Sequence, residues 1–186
     1  NLEETKSILL AAIKHKMKIK IHADEFSDIG AIGLAAELNA TSVDHLMNSS
    51  NQSISILGMS NVIGTLLPAT SFFLGGHKYA DGRKMVNSGV DIALATDFNP
   101  GSSTITSLPM VMLLSMLYCG LTIDESFKAV TYNAAKALSL DHKIGMIRKN
   151  YKADLLFWDI EELVEIPYWF NSNKLRKIMK DGKFIS

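Results

Sequence analysis

Two hydrophobic periods alternate along the chain. In residues 2–16, Ile8, Leu9, Ala12 and Ile13 recur at helical spacing among lysines and glutamates, which predicts an amphipathic helix. Lys18-Ile19-Lys20-Ile21 then alternates with period two, a short strand ending at His22. Asp28 stands where it can cap a helix over residues 29–38, rich in Ala, Leu and Glu. Residues 42–46 form the next strand, followed by a Ser/Asn-rich turn and a short helix over 52–57. A third apolar run, 62–67, is closed by Pro68. A helix over 82–88 leads into a fourth strand, 91–96, which ends at Asp97.

Strand alternating with helix four times implies right-handed βαβ units and a parallel sheet. Two apolar helices are expected next, over 108–117 and 123–138, the second opened by the capping box Thr122-Ile123-Asp124-Glu125. After His142 the pattern changes. Gly145, Gly182 and the runs 153–158 and 177–179 suggest short strands and turns, so a boundary is expected near residue 143.

Composition narrows the class. The 186 residues are about one domain's worth, and 47% apolar with 20% charged residues excludes disorder, collagen-like repeats and a disulfide scaffold. Lys+Arg and Asp+Glu both number 19, and this zero balance points to neither nucleic acid nor an anionic membrane as partner. The single cysteine, Cys119, fits a reducing, cytoplasmic setting, and its apolar neighbours predict a packed thiol. Every apolar run falls short of the ~20 residues that span a bilayer. The opening Asn1-Leu2-Glu3-Glu4 reads as neither a leader peptide nor a translation start, so the chain is expected to begin in mid-protein.

In parallel α/β folds chemistry gathers where strands end. Three of the four ends here carry groups that bind metal or move protons: His22-Ala23-Asp24-Glu25, Asp44-His45, and Asp97-Phe98-Asn99-Pro100-Gly101-Ser102. A metal hydrolase needs imidazole and carboxylate ligands and a further base to move the proton. Taken alone, each residue has a plainer reading. A strand-end histidine is more often a hydrogen-bonded structural residue, and Asp28 reads only as a helix cap. His77 sits in a loop after the third strand, and Lys14, Lys16, Lys18 and Lys20 read as a solvated face.

The strand-end segments Ile21-His22-Ala23-Asp24-Glu25, Val43-Asp44-His45-Leu46 and Ala95-Thr96-Asp97-Phe98-Asn99-Pro100-Gly101-Ser102 together resemble the second half of the imidazolonepropionase family. These are histidine-degradation enzymes of the amidohydrolase superfamily. Gly64-Thr65-Leu66-Leu67-Pro68-Ala69, Thr131-Tyr132-Asn133-Ala134-Ala135-Lys136-Ala137-Leu138 and Ala153-Asp154-Leu155-Leu156 extend the resemblance over nearly the whole chain. It implies an α/β fold: strands five to eight of a metal-dependent hydrolase TIM (β/α)8 barrel over residues 1–142. Residues 143–186 would be a C-terminal piece of a small β-sandwich domain. By the same resemblance His22 and Asp97 are ligands of one Zn or Fe ion, and Asp97 also accepts a proton from the attacking water. Glu25 contacts the substrate ring and relays a proton, and His45 orients water or the substrate carbonyl. Asn99, Gly101 and Ser102 line the substrate pocket. The implied reaction opens 4-imidazolone-5-propanoate to N-formimidoyl-L-glutamate.

One part of the pattern is missing. The family's first-strand His-x-His pair does not occur, and His15, His77 and His142 are too scattered to replace it. Two protein ligands fall short of the ~3 that catalytic zinc sites use. A missing N-terminal half, or self-association in a family that is often dimeric, is therefore the expected partner. Two other functions share these features: another cyclic amidohydrolase or nucleobase aminohydrolase, and a non-catalytic half-barrel scaffold. The chain by itself is expected neither to hold metal tightly nor to turn over substrate. Metal analysis of the purified 186 residues checks this, and stoichiometric tight zinc would contradict it.

Overall fold

Short apolar runs between turn residues become strands; only the first alternates in burial, while the next three are buried along nearly their whole length, as parallel strands covered on both faces are. The computed structural model describes residues 1–185. Strands β1 (Lys20–Ala23), β2 (Ser42–His45), β3 (Ile63–Leu66) and β4 (Ile92–Leu94) run parallel and lie side by side in chain order. Ile21, Val43, Gly64 and Ile92 form one cross-strand row, and the three aliphatic members pack into the main core with Ile32, Ala35, Leu57 and Met85. The adjacent row is His22, Asp44, Thr65 and Ala93, which the pleat turns to the other face. There Ala93, Ile63 and Ala137 form a small separate apolar cluster. The polar end of this second face leads into the strand-end loops.

Helices α1 (Leu2–Lys14), α2 (Ala31–Glu37) and α5 (Gly82–Asn87) match the periodic segments of the sequence with trimmed ends, and α3 (Asn51–Gly58) extends one residue beyond its expected segment at each end. Three expectations are corrected. Pro68 does not merely close the third run. It opens α4 (Pro68–Phe73), where a fixed φ and a missing N–H suit the first turn of a helix. Asp28 does not cap α2. That helix starts at Ala31 behind Gly30 in a left-handed conformation, and no side chain caps it. The single helix expected over 123–138 breaks at Thr131 into α7 (Ile123–Val130) and α8 (Tyr132–Ala137), after α6 (Leu108–Tyr118). The break lets α8 close on the sheet. Buried Asn133 donates Nδ2–H to the Ile92 carbonyl at 2.8 Å, while Lys128 and Lys136 both pair with Asp91.

Beyond α8 the chain forms an antiparallel sheet of β5 (Leu155–Trp158), β6 (Leu175–Lys180) and β7 (Lys183–Phe184), with α9 (Glu165–Tyr168) between β5 and β6. An apolar trough of about 620 Å³ separates this sheet from α7 and α8, with Phe127, Leu138, Ile147 and Trp158 among its walls. Cys119 is buried and its thiol is pushed up to about 12 by burial, as a packed thiol should be. No helix among the described residues is long and apolar enough to cross a membrane.

Two glycines separate close approach from open space. A Cβ on Gly58 would lie 2.0 Å from the Ser88 carbonyl oxygen, so backbone would have to move; a Cβ on Gly33 in α2 meets nothing within 4 Å. Gly58→Ala should destabilise the fold by about 2 kcal/mol, as overpacking does. Gly33→Ala should be neutral or stabilising by up to about 1 kcal/mol through helix propensity. Denaturant unfolding of the two variants measures both, and equal effects would refute the packing argument.

Candidate active site

Left-handed residues cluster at the strand ends. Asp24 (φ 53°), His45 (φ 81°), Leu46 (φ 64°) and Asp97 (φ 50°) all occupy a region that non-glycine residues seldom enter. Each turns the chain sharply where it leaves the sheet, and such strain persists only where surrounding bonds hold it. The bonds are present. Leu46 donates its N–H to the Ala23 carbonyl at 3.1 Å and Asn48 donates to Asp24 at 2.8 Å. The Asn48 side-chain amide donates to the Glu25 carbonyl at 2.6 Å, and Ser49 donates to Asp24 Oδ2 at 2.8 Å. Asp28 closes the set, accepting from the Ser50 N–H at 3.1 Å, the Ser53 hydroxyl at 2.7 Å and the Gly30 N–H at 3.0 Å. The loop after β1 is thereby tied to the N-terminus of α3, and Asp28 is a tie between two loops.

These ties bring three sequence-identified residues together. His45 Nε2 lies 3.2 Å from His22 Nδ1 and 3.7 Å from Glu25 Oε2, and the ligand atoms of all three lie within 4.8 Å of one another. The two imidazoles are tilted by 55° with ring centroids 4.8 Å apart. His45 is only 4% exposed, whereas His22 is open to solvent and Glu25 is half-buried. Burial lowers the His45 pKa below the ordinary 6.5. The Glu25 carboxylate opposes that shift, His22 adds to it, and Asp97 and Asp44 oppose it more weakly. A neutral His45 offers a ring nitrogen lone pair, which is what a cation or a proton-sharing partner requires. Two imidazole nitrogens and a carboxylate make a donor set suited to a divalent transition metal.

Asp97 stands outside this three-residue group, although its charge reaches His45. Its Oδ2 accepts from the Thr70 hydroxyl at 2.7 Å. The Asn99 amide is used within its own loop. Nδ2 donates to the Asp97 carbonyl at 2.8 Å and to Ser102 Oγ at 2.7 Å, and Oδ1 accepts from the Gly101 and Ser102 N–H groups. A short bridge between Asn99 and Ser103 closes the loop, with Ser103 fully buried. The side chains of Asn99 and Ser102 are thus used in holding the loop together, and Gly101 is exposed to solvent. His77 belongs elsewhere, in an open cleft of about 450 Å³ with Gly76, Tyr79, Leu117 and Tyr118.

Sequence reasoning missed Asn48, Ser49 and Thr70, and it set Asp24 aside. Asp24 is 3% exposed and its Oδ1 has no hydrogen-bond partner among the described residues. Burial raises its pKa, against the Ser49 hydrogen bond that lowers it. Nothing in a linear spacing links these residues to the site, because the loops that carry them meet only across the sheet.

A parallel sheet with imidazole and carboxylate groups at its strand ends is the arrangement of a metal-dependent hydrolase, and the chain belongs to the amidohydrolase family, whose sequence pattern matches residues 1–185. Within the family it is similar to the imidazolonepropionase of Bacillus velezensis, at 40% identity over 99% of this chain and 44% of that protein. The imidazolonepropionase of Bacillus cytotoxicus is 41% identical over 98% of this chain and 43% of its own length. The chain thus spans less than half the length of the curated relatives it matches. Among solved structures, a zinc-bound adenosine deaminase from Xanthomonas campestris superposes with TM-score 0.78 at 15% identity, covering 99% of this chain and 48% of that one. The A. niger ochratoxinase superposes with TM-score 0.80 at 19% identity, over 100% of this chain and 45% of its own. At such identities these structures speak to the fold alone.

The Asp28 ties give a pH-dependent stability. Hydrogen bonds from Ser50 and Ser53 hold its carboxyl at about 2, below the ordinary 3.8. A depressed folded-state pKa stabilises above the unfolded value and loses that contribution as pH falls from about 4 toward 2. Asp28→Ala should therefore cost about 1–2 kcal/mol near pH 6, from lost charge-assisted hydrogen bonds, and much less near pH 2. Urea unfolding at the two pH values tests this, and an equal loss at both would contradict it.

Proposed function

We propose that the protein to which this chain belongs is an imidazolonepropionase, hydrolysing 4-imidazolone-5-propanoate to N-formimidoyl-L-glutamate with one bound Zn or Fe ion. The observation that carries the reading is the His22–Glu25–His45 group at the ends of neighbouring parallel strands, in a chain about 40% identical throughout to curated imidazolonepropionases. The four-stranded parallel sheet fits strands five to eight of a (β/α)8 barrel, with residues 1–142 as the half-barrel and 143–186 as part of a small β-sandwich domain. The remaining ligands and barrel strands would come from the segment by which the relatives exceed this chain. That segment would also cover the polar second face of the sheet.

In this reading His22 and Asp97 hold the ion, and the ion when bound supplies electrostatic polarisation of the scissile carbonyl and of water. Glu25 contacts the ring of the substrate and carries a proton between water and the leaving nitrogen. Its main chain is pinned by Asn48, so the carboxylate works from a fixed base. His45, held neutral by burial and 3.2 Å from His22, orients water or the substrate carbonyl through a ring nitrogen. Asp97 accepts the proton of the attacking water. The loop of Asn99, Gly101 and Ser102 lines the pocket for a small-molecule substrate, and its internal hydrogen bonds keep that wall stiff.

The test uses the complete protein, assayed on imidazolone propionate and on a panel of purines and pyrimidines. Hydrolysis of the imidazolone is expected, and Glu25→Gln should lower kcat by about 100-fold or more, the usual contribution of a general acid–base. Turnover of a nucleobase in place of the imidazolone, or unchanged kcat in the Glu25 variant, would sink this assignment.

A further inference from the structure

The Asp97 carboxylate has one oxygen committed and one open. Thr70 Oγ1 donates to Asp97 Oδ2 at 2.7 Å, while Oδ1 accepts no hydrogen bond from the described residues. Thr70 comes from α4, directly after β3, and Asp97 follows β4, so the contact crosses between neighbouring strand units 27 residues apart in sequence. Thr70 is 1% exposed, and its backbone is already satisfied: its N–H reaches the Leu67 carbonyl at 3.1 Å and its own carbonyl accepts from Leu74 at 3.0 Å. A helical threonine commonly turns its hydroxyl back onto the carbonyl three or four residues earlier. Here the hydroxyl makes no such bond. Leu67 accepts the Thr70 N–H and Leu66 accepts from Ala95. The hydroxyl instead crosses to Asp97, which itself sits in a left-handed backbone conformation and depends on outside contacts to hold its side chain.

We propose that Thr70 is a positioning residue for Asp97: its buried hydroxyl clamps Oδ2 and leaves Oδ1 as the oxygen available to the site. The proposal rests on the reading that Asp97 is a metal-site residue. A carboxylate free to rotate would present either oxygen, and it would lose a hydrogen-bond donor that offsets its charge. Hydrogen-bond partners of ligating carboxylates commonly change metal affinity or activity by about 10–100-fold when removed. Valine keeps the shape of threonine and removes only the hydroxyl.

The experiment compares Thr70→Val, Thr70→Ser, Asp97→Asn and the Thr70→Val/Asp97→Asn double variant in the complete protein. It measures zinc affinity by competition with a chromophoric chelator, and kcat and KM on imidazolone propionate. Thr70→Val should weaken zinc binding and lower kcat, each by about 10-fold or more, with KM changed less than about twofold. Thr70→Ser should restore both, and the double variant should be no worse than Asp97→Asn alone. If Thr70→Val unfolds the protein, Thr70→Ala set against Thr70→Ser gives the same comparison. Parent-like zinc affinity and kcat in Thr70→Val, with both lost in Asp97→Asn, would overturn the role of Thr70 and leave the reading of Asp97 standing. Parent-like behaviour of Asp97→Asn would remove the reading itself, and the proposal with it.

Discussion

The site depends on a set of hydrogen bonds between two loops. A β-strand ends in open solvent unless something turns the chain, and here Asp24, His45 and Leu46 turn it in the left-handed region. That conformation carries a cost for residues with a Cβ, so the loops hold their shape only because they bond to one another. Ser49 on Asp24, Asn48 on the Glu25 carbonyl, and Ser50 and Ser53 on Asp28 form that seam. Without it Glu25 would ride on a free loop, and its carboxylate would not remain near the two imidazoles.

Burial then sets the chemistry. His45 is enclosed and held neutral, while His22, one strand away, stays open to solvent. The pair therefore joins a protected lone pair to a group that reaches the open face of the sheet. Asp97 enters from the far strand and is steadied from the side by Thr70. The Asn99 loop carries its own set of internal hydrogen bonds.

Much of this was legible in the sequence, and the parts that were not share a reason. The strands at 20–23, 42–45 and 63–66 follow from local periodicity, and strand-end position offers the segments that hold His22, Glu25, His45 and Asp97, which the family resemblance then singles out. Asp28 reads as a cap because capping is a local rule, and the Ser50 and Ser53 groups it meets lie more than 20 residues away. The apolar spacing over 123–138 never falters and so predicts one continuous helix. The break at Thr131 comes from Asn133 and Lys136 reaching β4 and Asp91, contacts no window of sequence contains. Pro68 could have been read as a helix start, since proline at a first turn is a local signal.

The sequence by itself determined the alternation of strand and helix, the parallel sheet and the residue types at the strand ends, because these rest on periods of two and 3.6 residues and on short-range turn chemistry. Only the tertiary structure decided which strand-end groups meet. It drew Glu25 and His45 onto His22, left Asp97 just outside that group in the grip of Thr70, and buried one imidazole while exposing the other. The physical reason is that strand order and register set these distances, and register is fixed by the packing of the opposite, apolar face of the sheet.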